Sequence, residues 1–397
     1  MRISKRTAQL AESATLAVAA KAARLSQEGI DVVSLAAGEP DFDTPDHIKE
    51  AGIQAIRDGK TKYGKPASGI PEAKAAACLK LQRENGLTYE PSQIIVTAGA
   101  KNAVQMAFMS VLEPGDEVII PAPYWVSYPE QVKLAGAVPV FVPGDEVHGF
   151  ELTVGQLEAA ITDQTRMLVL NSPNNPGGFT YSPEKIRHIA ECIEKLDVLV
   201  LSDEIYDRLT YGDVPHLSIA AVSPELYGKT VTVCGGSKAY AMTGWRIGYA
   251  AGPEYIIKAM AKLQSQRTSG AATFTQHALV AALTGDQACV TAMRDEFARR
   301  AEHMHRRLCA MPGVTCVRPT GAFYCFPNVM GMYERLGVAG SVQFAERLLE
   351  EAHVAVVPGV AFGNDAHVRM SFAASMERID EGLDRLERFL RANGATS

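Results

Sequence analysis

Short, β-branched apolar runs recur through the first two thirds of the chain, each bounded by Gly, Pro or Asn. Ile94–Thr97, Glu117–Ile120, Val138–Val142, Met167–Leu170, Val198–Leu201 and Thr230–Val233 are nearly continuous in their apolar character. Strands that lack polar alternation are buried on both faces, as in a mostly parallel sheet covered by helices. Helical spacing separates several of them. Ala103–Leu112 is one such segment, stopped by Glu113-Pro-Gly-Asp116, and Ser182 followed by Pro183 supplies the N-cap and first turn of another. The pattern predicts an α/β layered domain.

Beyond about residue 285 the texture changes. Two long charged amphipathic patterns, Asp286–Cys309 and Ser341–His353, are followed by a last helix from Met376 to about Asn393. Strand-like runs lie between them at Val314–Val317, Ala322–Phe326, Val354–Val357 and Val368–Phe372. This is an α+β piece, read as a second domain completed by the N-terminal segment. The first 25 residues are basic and then apolar, as in an export signal, but Glu12 and Lys21 interrupt the run. They fit an amphipathic helix instead. No uncharged apolar stretch approaches the ~20 residues of a membrane-spanning helix.

Composition narrows the class further. Of 397 residues, 47% are hydrophobic and 21% charged, which excludes collagen-like, low-complexity and wholly disordered chains. Lys plus Arg number 39 and Asp plus Glu 45, a net charge of −6 that gives no electrostatic reason to expect nucleic acid or a membrane surface. Seven cysteines are scattered without a CxxC pair, so neither a metal site nor a disulfide framework is expected, and a cytoplasmic location is the simpler reading. His148, His277 and His367 show no ligand spacing.

Four polar clusters follow apolar runs. After Thr230–Val233 comes Gly235-Gly-Ser-Lys238, with Arg246 eight residues on. A lysine just beyond a buried strand can lose its hydration and become nucleophilic, and an arginine can hold a phosphate through paired hydrogen bonds. On spacing alone a surface turn explains this stretch as well. Asp203 ends the run from Val198 and lies where open α/β sheets bind ligands, although Asp203 and Glu204 also read as two solvated acids. Asn171–Gly178 is a Pro- and Asn-rich shaped loop. Thr97-Ala-Gly99-Ala-Lys101 opens a helix whose free amides suit a phosphate. Taken singly, Trp125 reads as core and Arg369 as the partner of a surface acid. An acid, a lysine and an arginine at successive strand ends are what pyridoxal phosphate requires: a Schiff-base amine, a carboxylate for the ring nitrogen and a phosphate cradle.

With these residues in place, the sequence resembles the class I aminotransferases, most closely the bacterial aspartate aminotransferases of the thermophile-type (Ib) subgroup. The landmarks are Leu35–Pro45, Thr61-Lys-Tyr63, Pro123-Tyr-Trp125, Asn171–Gly177, Ser202–Tyr206, Ser237–Gly248 and Val368–Phe372. The resemblance implies a fold-type I transferase: a large domain, residues 46–285, with a mostly parallel seven-stranded sheet, and a smaller α+β domain from residues 1–45 and 286–397. It implies that Lys238 binds pyridoxal 5'-phosphate and shuttles the proton, while Asp203 pairs with the ring nitrogen. Tyr206 and Asn175 would bond the ring's phenolic oxygen and Trp125 would stack on the ring. Gly99, Ala100 and Arg246 would hold the phosphate, with Tyr63 from the second subunit of a homodimer, and Ser237 is the substitute donor where this chain departs from the family at Gly235, Gly236 and Ala100. Arg369 would clamp the substrate α-carboxylate beside Gly38 and Asn175. A distal carboxylate would fall to Lys101, under Ser13 and Thr15, or else to Arg267.

The implied reaction moves the amino group between L-aspartate and 2-oxoglutarate. Aromatic, alanine or prephenate aminotransferases and a carbon–sulfur lyase are the alternatives on the same fold. Rivals of other classes are weaker: no GxGxxG follows a strand, as a nicotinamide enzyme requires, and no helix-turn-helix precedes the domain as in an effector-sensing DNA-binding module. Some landmarks depart from the family. Gly235 and Gly236 replace a hydroxyl and a bulkier residue, and Ala100 replaces a glycine, so that backbone requires φ below zero. Ser269-Gly-Ala271 replaces a Ser-Pro element, and Glu12-Ser13 stand where relatives often have Lys-Pro, which questions activities that need that lysine.

Overall fold

The computed structural model describes residues 3–394, so the outermost positions of the small-domain assignment lie outside the described residues. Seven strands form the central sheet: β1 (Ile94–Thr97), β2 (Glu117–Ala122), β3 (Val138–Pro143), β4 (Thr165–Asn171), β5 (Leu199–Asp203), β6 (Thr230–Gly235) and β7 (Gly248–Ala251). Their order is β1-β7-β6-β5-β4-β2-β3. All neighbours are parallel except β7, which runs antiparallel to both β1 and β6. All six expected runs are strands. The seventh lies in Gly248-Tyr-Ala-Ala251, whose small residues give no β-branched signal. Every residue of β1, β5 and β7 is buried, which is why these strands show no alternation.

Three helices border the site, α1 (Ala14–Gln27), α2 (Ala100–Val111) and α3 (Ser127–Ala135), and three more, α4 (Ala288–Cys309), α5 (Ser341–Ala352) and α6 (Met376–Ala392), belong to the C-terminal part. Gly99 precedes α2 at φ 86°, a conformation that favours glycine. Ala100 begins the helix itself, consistent with the expected negative φ. Among the described residues no helix is long and apolar enough to cross a membrane.

The N-terminal segment joins the C-terminal part of the chain. Val33–Ser34 pairs in parallel with Val354–Ala355, and Val33 and Leu35 share a core with Phe297, Phe344 and Leu383. Val368–Ser371 lies between Val357–Pro358 and Tyr324–Cys325 in a small antiparallel sheet. The expected strand at Val314–Val317 is not one. It makes a single bridge, Thr315 to Asn328, and Pro319 has no N–H with which to extend a ladder.

Register sets up one edge of the large sheet. Asn171 lies opposite Asp203 and Asp203 opposite Val233, while Gly248 faces both Gly235 and Thr97. The loops carrying all four polar clusters therefore leave from the same edge, where open α/β sheets bind ligands.

Candidate active site

A cavity of about 620 Å³ opens between this edge, the start of α1 and the segment Ala36–Glu39. Its size suits a cofactor with a small substrate. Lys238, Asp203, Tyr206, Ala100, Trp125, Asn175, Ser237, Arg246, Gly38, Arg369, Lys101, Ser13 and Thr15 all line it. Three candidates do not. Gly99 sits beneath it, Tyr63 stands 80% exposed on the surface, and Arg267 ends a separate helix beside Met109.

Asp203 is 4% exposed at the tip of β5. Tyr128 Oη donates to its Oδ2 at 2.7 Å, and the Ile205 amide donates to Oδ1 at 3.2 Å. Burial pushes its carboxyl up to about 6, against the pull of these donors. A buried acid raised by desolvation is suited to pair with a cation brought by a ligand. Across the cavity burial drives Lys238 the other way, down to about 8, helped by the Arg369 charge. Its ammonium donates to the Gly38 carbonyl and lies 5.7 Å from the Tyr206 ring centroid. Tyr206 Oη shares a hydrogen bond of 3.0 Å with Tyr324 Oη, and burial keeps its phenol protonated.

The surface-pair reading of Arg369 does not hold. It is 2% exposed, so it is no surface ion pair. Nη1 donates to Asn175 Oδ1 at 3.0 Å and Nη2 to the Ala36 carbonyl at 2.9 Å, while its plane lies 4.4 Å from the Tyr324 ring centroid. Neither partner is an acid, and Nε has no partner among the described residues. A buried guanidinium in this state is built to receive an anion.

The phosphate end is shaped by backbone. A Cβ on Gly99 would come within 2.6 Å of Arg246 Nη2, and one on Gly248 within 2.5 Å of the Ala100 amide. The Asn102 and Ala103 amides of α2 turn back to the Gly99 carbonyl, which leaves those of Ala100 and Lys101 without a backbone acceptor among the described residues, and Arg246 and Ser237 line the same cavity. The whole lining holds four cations, Lys101, Lys238, Arg246 and Arg369, against two carboxylates, Asp203 and Glu39. These residues fit pyridoxal phosphate: an acid for its ring nitrogen, an amine for its aldehyde and a cradle for its phosphate.

Sequence reasoning missed Tyr128 and Tyr324. Tyr128 lies three residues after Trp125, with its ring edge-on to it at 5.2 Å, but its bond to Asp203 spans 75 residues of chain. Such long-range contacts leave no local signal. Tyr324 carries both Tyr206 and Arg369, and hides in an apolar strand run in the same way.

The comparisons with known proteins agree with this geometry. The family described as Aminotransferase class I and II matches residues 30–386. An aspartate aminotransferase of Geobacillus stearothermophilus is 48% identical over 99% of this chain and 100% of its own. A probable aspartate/prephenate aminotransferase of Rhizobium leguminosarum bv. phaseoli is 47% identical over 96% of each chain. The structure of a Thermus thermophilus aspartate aminotransferase with maleate superposes with a TM-score of 0.92, at 45% identity, over 98% of this chain and 100% of that one. The chain belongs to the class I and II aminotransferase family, with the fold of the type I pyridoxal-phosphate transferases. It is a pyridoxal-phosphate-dependent transaminase whose substrates are amino acids and 2-oxo acids.

Proposed function

We propose that this enzyme exchanges the amino group between L-aspartate and 2-oxoglutarate, giving oxaloacetate and L-glutamate. The excess of cations around the cavity carries the reading. Arg246 is committed to phosphate, Arg369 to an α-carboxylate and Lys238 to chemistry, which leaves Lys101 for a second carboxylate. It lies 4.9 Å from the Trp125 ring centroid, and burial, with Arg246 nearby, lowers its ammonium below the usual range. An anion beside it would relieve that cost. The Thermus relative, which has a dicarboxylate in its structure, supports the same substrate class.

When bound, pyridoxal phosphate supplies a carbonyl that takes up the amino group and a ring that accepts electron density from the substrate α-carbon. Asp203 would hold a proton at the ring nitrogen, Tyr206 and Asn175 would bond the phenolic oxygen, and Trp125 would pack against the ring. Ala100, Ser237 and Arg246 would take the phosphate, with Gly99 shaping the turn beneath Arg246. Arg369 and Asn175 orient the α-carboxylate, with Gly38 leaving room for it. Lys238 Nζ moves the proton at the substrate α-carbon. Its value of about 8 leaves an appreciable fraction as free amine near neutral pH. Ser13 and Thr15 close over the substrate from the start of α1.

Residues 46–285 are taken as the large domain and 1–45 with 286–397 as the small one. The enzyme is taken to be a cytoplasmic homodimer, with Tyr63 serving the partner's phosphate site. The exposure of Tyr63 supports that role. The test is Lys101→Ser. A charge-assisted contact is worth about 1.5–3 kcal/mol, so kcat/KM for aspartate falls by about 10- to 150-fold while alanine is nearly untouched. Equal losses for both amino acids would return Lys101 to the cofactor site. Loss of aspartate selectivity only in Arg267→Ala would move the distal site to Arg267.

A further inference from the structure

Directly after Asp203 the chain buries a second acid that does not line the cavity. Glu204 is 1% exposed, and four donors converge on it. Ser202 Oγ at 2.8 Å and Ser218 Oγ at 2.6 Å reach Oε1, while His216 Nε2 at 2.9 Å and Asn85 Nδ2 at 2.8 Å reach Oε2. Its own amide donates to the Val233 carbonyl at 2.9 Å. A carboxylate held at four points, with its backbone pinned to β6, cannot turn without moving the residue before it.

Behind Glu204 the cluster continues. Lys80 pairs with Asp207 and lies 3.7 Å from Glu84, Arg208 pairs with Glu84, and Arg83 reaches Glu84 from the surface side. Cys234, Tyr89 and Tyr240 also face this region, and burial keeps all three protonated. Asp203 faces it from the cavity side. Glu204, Asp207 and Cys234 converge closely enough for a metal ion, but Lys80 already supplies the cation there. Within the buried set, Glu84, Glu204 and Asp207 oppose Lys80, Arg208 and His216. Glu84 and Asp207 are matched by Lys80, Arg208 and Arg83, so among the described residues His216 is the counter-charge left to Glu204. Burial alone would lower the His216 imidazole, but Glu204 overrides it and holds it raised. The imidazole Nδ1 has no partner among the described residues. Leaving that N–H unbonded costs less than leaving a buried carboxylate uncompensated.

We propose that Glu204 and its counter-charge His216 are positioning residues for Asp203, fixing the end of β5 and keeping the potential behind the ring-nitrogen carboxylate neutral. The proposal rests on the assignment of Asp203 to the ring nitrogen. Its test uses pyridoxal phosphate as the probe, titrated into apoenzyme at pH 7.5, and the pH midpoint of the visible band of the reconstituted enzyme. His216→Gln leaves a buried negative charge. It should weaken cofactor binding by about tenfold or more and raise the band midpoint by at least about half a pH unit. The double variant Glu204→Gln/His216→Gln replaces one neutral pair by another and should return both readouts to within about threefold of wild type. A purely structural role would lower the melting temperature and leave the midpoint in place, and that result overturns the proposal. If His216→Gln does not fold, Ser218→Ala decides. It removes one donor and no charge, and should weaken cofactor binding by about threefold, whereas unchanged binding overturns the proposal. Asp203→Asn separates the two levels. If it leaves binding and band intact, the Asp203 reading fails. If it removes both while the Glu204 and His216 variants change neither, only the present inference falls.

Discussion

Tyr128→Phe tests how the environment of Asp203 sets cofactor binding. The substitution removes one hydroxyl and leaves the ring packed edge-on to Trp125. What is lost is a buried hydrogen bond of 2.7 Å to a carboxylate. Hydrogen bonds to charged groups contribute about 1.5–3 kcal/mol, and one pH unit of proton affinity corresponds to about 1.4 kcal/mol. The Asp203 carboxyl, already up at about 6, should therefore titrate about one to two pH units higher in the apoenzyme. The sign follows from linkage. A cationic ring nitrogen needs the ionised carboxylate, so binding weakens as pH falls through that midpoint. The variant should match wild type near pH 9 and bind pyridoxal phosphate about 5- to 50-fold more weakly near pH 6. Fluorescence titration of apoenzyme across pH 5.5–9 measures this directly, and titrations of the cofactor itself cancel in the comparison. Superimposable profiles for variant and wild type would refute the reasoning, since Tyr128 would then not govern the Asp203 charge.

Three further outcomes are expected. Lys238→Ala should retain pyridoxal phosphate without a covalent link and lose turnover by about 10⁴-fold or more, with borohydride reduction of the native enzyme labelling Lys238 alone. Mixed dimers of Lys238→Ala and Tyr63→Phe chains should recover activity above either parent, because one site carries both defects and the other neither; a failure under verified subunit exchange would assign Tyr63 to its own chain. Asp203→Asn removes a carboxyl whose folded-state value is raised. The apoenzyme should therefore be stabilised above pH 6, by no more than about 3 kcal/mol, with no gain below pH 4, as scanning calorimetry of the apo form would show.

Those residues were not equally legible in the sequence. Asp203, Lys238 and the Gly99–Lys101 turn stood out because each follows a strand buried on both faces, whose apolar run ends abruptly at the polar position. The chain end of a buried strand is a local feature. Arg369 was different. It is an arginine inside an apolar strand, and nothing nearby distinguishes a carboxylate clamp from a surface ion pair until Asn175, 194 residues away, is placed beside it. Its role came from family resemblance. Tyr128, Tyr324 and the Asn85 donor of Glu204 were not legible at all, because each acts through a partner remote in sequence. Strand β7 escaped for a local reason: glycine and alanine pack tightly against the Gly99–Ala100 turn, and that same smallness removes the β-branched signal.

The two displaced groups at the centre of the cavity have one cause. Desolvation raises Asp203 to about 6 and lowers Lys238 to about 8, so the cavity disfavours both of their charged forms. Each displacement corresponds to roughly 3 kcal/mol at full ionisation, a penalty borne by the apoenzyme near neutral pH. A ligand that presents a cation to Asp203 removes the first penalty. One that presents a carbonyl to the Lys238 amine uses the second, because a lysine pushed toward its free-base form is the nucleophile such a carbonyl needs. Arg369 and Arg246 make the complementary demand, for anions in the same cavity. A ring bearing a protonated nitrogen, an aldehyde and a phosphate, followed by an amino acid, meets all four demands. Few other ligand pairs do. The cost of burying these charges is therefore a specification of the ligands, written in burial rather than in any single residue.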